Sequence, residues 1–244
     1  MVSALMNNFY TQLFSSSDPQ VFERVLDGVQ AVVGDEMRNA LAQPYTNEEV
    51  GAAITEMAPL KAPSPNGMPL LFYQCYWSDV GMDITQAVLS SLNSSSILKS
   101  INHTFNTLIP KVQNPKRVME FRPISLGNVI YKIVSKVIAN RLKPWLNSII
   151  LETQNAFIAN RLITNNILIA FKSLHHMKTN CIGKNGFMVL KLDMSKAYDK
   201  VEWAFLEKIL LKMGFEESWV ALVMECITTV TYSIFVNGEL NQMA

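Results

Sequence analysis

The 244 residues carry a net charge of +1, with 49% hydrophobic and 17% charged positions. This is a globular composition, not a disordered one, with room for one large domain or two small ones. No apolar stretch is long enough to cross a bilayer, the start has no basic n-region (its first positive charge is Arg24), and Cys75, Cys181 and Cys226 are too few and too scattered for a disulfide framework or a zinc site. The expected setting is intracellular, not secreted, with no membrane partner.

Residues 3–58 predict a helical lead-in. Leu5, Phe9, Leu13 and then Val21, Val25, Val29 and Val32 recur at helical spacing, and Thr46-Asn47-Glu48-Glu49 is a capping-box start for a helix carrying Val50, Ile54 and Met57. The strongest break is Lys61 to Gly67, where two prolines and Asn-Gly force extended and turn geometry; it reads either as a linker or as a fixed loop inside a larger fold. Residues 69–93 read as one or two helices, Thr104–Val112 as a strand and Phe121–Leu126 as a second extended piece. Val129 to Ile149 predicts a long amphipathic helix with Lys132, Lys136 and Lys143 on its polar side. A helix over Leu162–Met177, two more over about 200–213 and 215–228, a strand at Thr231–Val236 and a turn at Asn237-Gly238 complete a mixed α/β order.

The net charge hides an internal asymmetry. Residues 1–98 carry three Lys/Arg against ten Asp/Glu, residues 99–145 nine against one, and residues 146–244 nine against nine. The middle block is the candidate footprint of a polyanion, although a charge run is more often a solvated face.

Several constellations are absent: there is no GxSxG elbow, no GxxxxGK[ST] loop, no CxxC pair and no HExxH. His175 and His176 are adjacent and diverge on a helix, and His103 stands alone, so all three read as surface or interface residues. Lys111 and Arg122 flank a turn-like Gln113-Asn114-Pro115-Lys116, a spacing that suits a β-hairpin presenting two cations on one side. Phe187–Leu192 reads as a short buried strand ending in Asp193. A carboxylate at such a strand end suits a metal carrying phosphates, but Asp193 or Ser195 equally suits the cap of a helix starting near Tyr198.

From about Lys61 onward the chain resembles the reverse transcriptase of plant long-interspersed (non-LTR) retrotransposons. The resemblance rests on Lys61-Ala-Pro-Ser-Pro-Asn-Gly67, Leu108-Ile-Pro-Lys111, Phe121-Arg-Pro-Ile-Ser-Leu126, Val129–Leu142, Gln154-Asn-Ala-Phe-Ile-Ala-Asn-Arg161, Ile163-Thr-Asn-Asn-Ile-Leu-Ile-Ala170 and Leu192-Asp-Met-Ser-Lys-Ala-Tyr-Asp-Lys-Val201. It implies right-hand polymerase fingers (about 61–185) and a partial palm (about 186–244) in one domain, 61–244, after a helical extension over 1–60. The implied partners are an RNA template, a DNA primer and deoxynucleoside triphosphates, and the implied cofactor is Mg²⁺ in a two-ion site.

Carried over residue by residue, Asp193 is the first catalytic carboxylate and metal ligand, with the Met194 backbone carbonyl as a further metal contact. Tyr198 lies beneath the incoming sugar; without the resemblance it is a core aromatic. Lys111 and Arg122 grip the triphosphate, Lys132, Lys136 and Arg141 meet template phosphates, and Arg161 contacts template or nucleotide. The family usually has Gly where this chain has Ser64 and Asn160, and Asp where it has Asn66 and Asn165. The chain contains no Asp-Asp, so the Tyr-x-Asp-Asp strand that completes the palm is missing. The expectation is therefore a truncated polymerase piece, inactive alone and dependent on a missing palm/thumb segment or a partner chain for stability. The alternatives are a non-catalytic nucleic-acid-binding remnant using the basic 99–145 block, and an unrelated α/β phosphate-binding enzyme.

Overall fold

The computed structural model describes residues 2–19, 21–61, 63–64, 66–179, 188–236 and 239–242. The chain is mixed α+β and forms two compact units, residues 1–141 with 199–244, and residues 142–198.

In the larger unit the lead-in carries α1 (Val2–Phe14), α2 (Glu23–Leu26), α3 (Asp35–Ala42) and α4 (Asn47–Glu56); the expected Val21–Val32 helical run is corrected to the single turn α2, with Val21, Val29 and Val32 outside it. The capping box at α4 forms as its residues dictate. Thr46 Oγ1 accepts from the Glu49 amide at 3.4 Å, and the Thr46 amide donates to Glu49 Oε2 at 2.9 Å. The helical face that follows buries Val50, Ala53 and Ile54. Two helices, α5 (Leu70–Cys75) and α6 (Trp77–Ser94), occupy the next stretch.

The loop before α5 is fixed by its own polar groups. Ser64, only 4% exposed, donates from Oγ to Asn66 Oδ1 at 2.5 Å, and the Met68 amide donates to the same oxygen at 3.1 Å. Gly67 takes φ +78°, which glycine adopts without a Cβ clash. Ala62 and Pro65 lie outside the described residues.

The sheet has the order β2-β1-β3-β4, with β1 (His103–Pro110), β2 (Phe121–Gly127), β3 (Thr231–Val236) and β4 (Glu239–Gln242). β1 runs antiparallel to β2 and parallel to β3, and β3 is antiparallel to β4. Parallel neighbours need a long crossover, and 120 residues separate β1 from β3 here. One sheet face carries Ile234 and Val236 against Met6 and Tyr10 of α1, with Leu108 and Phe121 packed alongside. β3 is paired on both sides, with β4 along its outer edge. The short polar β4, which local periodicity did not reveal, covers that edge. The expected Asn237-Gly238 turn lies outside the described residues.

α7 (Val129–Leu142) buries Val129, Ile133, Val134, Val137 and Ile138. The expected single helix to Ile149 is corrected: a 3-10 turn at Lys143–Trp145 separates α7 from α8 (Leu146–Ile149). Pro144 is the cause, since its ring cannot sit in a helix interior, whereas it is tolerated at a new first turn. Later come α10 (Trp203–Met213; α9 belongs to the smaller unit) and α11 (Glu217–Thr228), joined through Gly214 in the left-handed conformation at φ +96°.

In the smaller unit a loop leads from α8 to α9 (Ile163–Thr179). Asn155 Nδ2 donates to Asn166 Oδ1 at 2.6 Å and Asn166 Nδ2 to the Thr153 carbonyl at 3.2 Å, which ties the loop to the first turns of α9. Asn160 takes φ +63°, the left-handed backbone that a position usually occupied by glycine demands. α9 has no buried residue. The expected buried strand ending at Asp193 is corrected as well. Met188, Val189, Leu190 and Leu192 have no strand partner and are 55–89% exposed, while Gly186 and Phe187 lie outside the described residues. An apolar run this short becomes a strand only where another strand offers a ladder, and periodicity does not supply that partner.

Candidate functional site

The β1–β2 hairpin is built as the Lys111–Arg122 spacing predicts. Ile109 pairs with Arg122, and the Lys111 amide extends the ladder by donating to the Glu120 carbonyl at 2.7 Å. Alternation along the strands then puts Lys111 and Arg122 on the same face, both exposed at the open end. Lys111 Nζ donates to the Met119 carbonyl at 3.0 Å, which orients the ammonium across the hairpin tip. The tip is tied by Glu120, whose carboxylate accepts from the amides of Lys116 (2.6 Å) and Arg117 (3.1 Å); these two bonds, Lys116 first, hold its carboxyl below the usual range.

The three α7 cations differ sharply. Lys132 is half-buried, and burial, followed by the nearby Lys61 charge, lowers its pKa. Lys61 was not singled out in the sequence, although it opens the Lys61–Gly67 motif. Lys136 pairs with Glu56 at 2.8 Å in a half-open position. Arg141, expected at template phosphates, is instead consumed inside the fold. Its Nε and Nη2 grip the Glu49 carboxylate at 2.8 and 2.6 Å, Nη1 donates to the carbonyls of Leu41 and Gln43, and Nη2 reaches Pro44. The guanidinium also stacks 3.7 Å above the Tyr45 ring, and only 8% of the side chain is exposed. Arg141 thus knits α7 to the α3–α4 connection and offers no donor to a phosphate.

In the smaller unit Arg161 likewise binds its own chain. It donates to the carbonyls of Leu151 (2.6 Å), Gln154 (2.9 Å) and Ile150 (3.3 Å) and to Asn147 Oδ1 (3.2 Å), satisfying carbonyls left open beyond α8. Asp193 and Met194 are exposed. A 3-10 turn starts at Tyr198 (Tyr198–Lys200), and α10 follows it with Glu202 at its N-cap. Tyr198, at 81% exposure, is not the core aromatic that spacing alone allows.

Among the described residues no group of three or more His, Cys, Asp or Glu is close enough to hold a metal ion. A two-ion site is built from several carboxylates, so the donor set of Asp193 with the Met194 carbonyl does not fit one by itself. Among the same residues no helix is long and apolar enough to cross a membrane.

The decisive observation is a comparison of families. The model of "Reverse transcriptase (RNA-dependent DNA polymerase)" matches residues 109–243. The chain belongs to the reverse transcriptase family. The match begins at the end of β1 and takes in the Arg122 strand, all of α7, α9 and the Asp193–Tyr198 stretch. A Xenopus laevis protein described as "Transposon TX1 uncharacterized 149 kDa protein" is 27% identical over 235 residues, covering 93% of this chain. The chain spans 18% of that relative's length. As a family, reverse transcriptases act on a nucleic-acid template and primer with nucleotide substrates and generally use divalent metals.

Proposed function

We propose that this chain is a piece of the RNA-directed DNA polymerase of a plant-type non-LTR retrotransposon, with residues 1–60 as a helical extension, about 61–185 as fingers and about 186–244 as a partial palm. The observation that carries this reading is the family match over 109–243, which includes each quoted motif from Lys111 to Asp199. In a complete polymerase, Lys111 and Arg122 would neutralise the triphosphate, Tyr198 would lie against the incoming sugar, and Asp193 with the Met194 carbonyl would supply part of the donor set for Mg²⁺. In the chain as it stands that donor set is incomplete, so it does not polymerise alone. The exposed apolar residues of α9 (Ile167, Leu168, Phe171) and of 188–194 are the surface that a further palm or thumb segment, or a partner chain, would cover.

What the chain retains is binding of RNA through the basic 99–145 block, chiefly Lys132 and Lys136. Exposed ion pairs such as Lys136–Glu56 contribute only about 0–1 kcal/mol, so a phosphate displaces Glu56 at little cost. A salt titration of RNA binding by the whole chain tests this. Binding is expected to weaken as salt rises and to survive Asp193→Asn. Lys132→Gln with Lys136→Gln should weaken it further and flatten the log–log salt slope by about one per lost phosphate contact. Absence of RNA binding at low salt contradicts the proposal.

A further inference from the structure

The sheet face described above is covered by α1, with Phe9, Leu13 and Phe14 partly buried beside Met6 and Tyr10. α1 buries only Met6 and Tyr10, and its last aromatic, Phe14, stacks on Tyr232 of β3 at 5.3 Å between ring centroids. Val2 and Leu5 on the same helix remain 54% and 61% exposed. α1 also lies outside the residues that match the reverse transcriptase family. The Asp199 charge raises the pKa of both Tyr10 and Tyr232, after the larger effect of burial, so α1 and β3 stand beside the residue that follows Tyr198 in the motif.

Directly after α1 comes an exposed clasp. Ser16 Oγ donates to Glu202 Oε2 at 2.5 Å, while the Ser17 amide and Oγ donate to Glu202 Oε1 at 3.1 and 2.7 Å. These bonds, Ser16 first and then Ser17, hold the Glu202 carboxyl below its usual range. Asp18 locks the turn by donating its amide to Ser16 Oγ at 2.9 Å, with its backbone at φ +48°. Glu202 occupies the N-cap of α10 yet makes no side-chain cap bond there, so its carboxylate serves the serines and not its own helix.

We propose that α1 is a detachable cover over the sheet face beside Asp199, and that the Ser16–Ser17–Glu202 clasp is its charge-sensitive latch. Three donors converge on one carboxylate, so negative charge at the serines sets like charges at hydrogen-bond distance and turns a tether of α1 into a repulsion. Opening the latch uncovers Ile234 and Val236, together with Leu108 and Phe121 beside them, and leaves α7 in place.

Hydrogen exchange on the whole chain tests the latch. In Ser16→Glu with Ser17→Glu, the amides of α1 should lose protection by about tenfold or more while those of α7 keep theirs. Glu202→Ala, which removes the acceptor without adding charge, should show a smaller loss confined to α1. Ser15→Ala should change nothing, because Ser15 Oγ bonds only the Thr11 carbonyl in its own helix. Unchanged α1 protection in both the double variant and Glu202→Ala overturns the proposal. So does joint loss in α1 and α7 in either of them, which makes α1 an inseparable part of the core.

Discussion

Arg141 shows what a single residue decides in this fold. Its donors meet one carboxylate and three carbonyls, and its plane covers a tyrosine ring, so truncation leaves Glu49 and three loop carbonyls without partners. Arg141→Ala should therefore lower unfolding stability by about 3 kcal/mol or more in denaturant melts, the usual cost of stranding one member of a mostly buried pair. Arg141→Lys should recover only part of this, because an ammonium cannot reproduce the bidentate fork. Nothing in the sequence announced this role: Glu49 is 92 residues away, and the apolar pattern of α7 places Arg141 among its polar positions. Thiol chemistry separates two other residues. Burial pushes the Cys226 thiol up to about 11, while Cys75 is exposed. A disulfide reagent should modify Cys75 promptly in the native chain and Cys226 only on unfolding; rapid native labelling of Cys226 contradicts the packing of α11.

At the scale of elements, what was legible followed local rules. The capping box of α4, the Lys111–Arg122 hairpin and the strand at Thr231–Val236 depend on neighbouring residues, and the structure places them where the spacing does. What failed depended on distant partners or on competing signals. Phe187–Leu192 has the composition of a buried strand, yet Met188 to Leu192 find no ladder. The apolar rhythm from Val129 to Ile149 concealed the break that Pro144 imposes. The α10–α11 joint carries its own prediction. Gly214 sits at φ +96°, and a Cβ there would lie 3.3 Å from the Val33 carbonyl oxygen. Gly214→Ala should cost about 1–2 kcal/mol from the left-handed backbone alone, read as a lowered Tm; an unchanged Tm would mean the turn relaxes.

For the molecule as a whole, a nearly balanced net charge conceals a concentration of cations between residues 99 and 145, in a chain that belongs to the reverse transcriptase family. The structure sharpens which of those cations are available. Lys111 and Arg122 share one face of a hairpin, Lys132 is half-buried on α7, Lys136 on the same helix pairs with Glu56, and Arg141 belongs to the interior. The acidic half of the proposed chemistry is thinner, since Asp193 stands exposed and the sequence holds no Asp-Asp pair. Primer extension on an RNA template, with deoxynucleoside triphosphates and Mg²⁺, tests this account most directly. The purified 244-residue chain should bind the template and add no nucleotide. Extension that Asp193→Asn abolishes would contradict it.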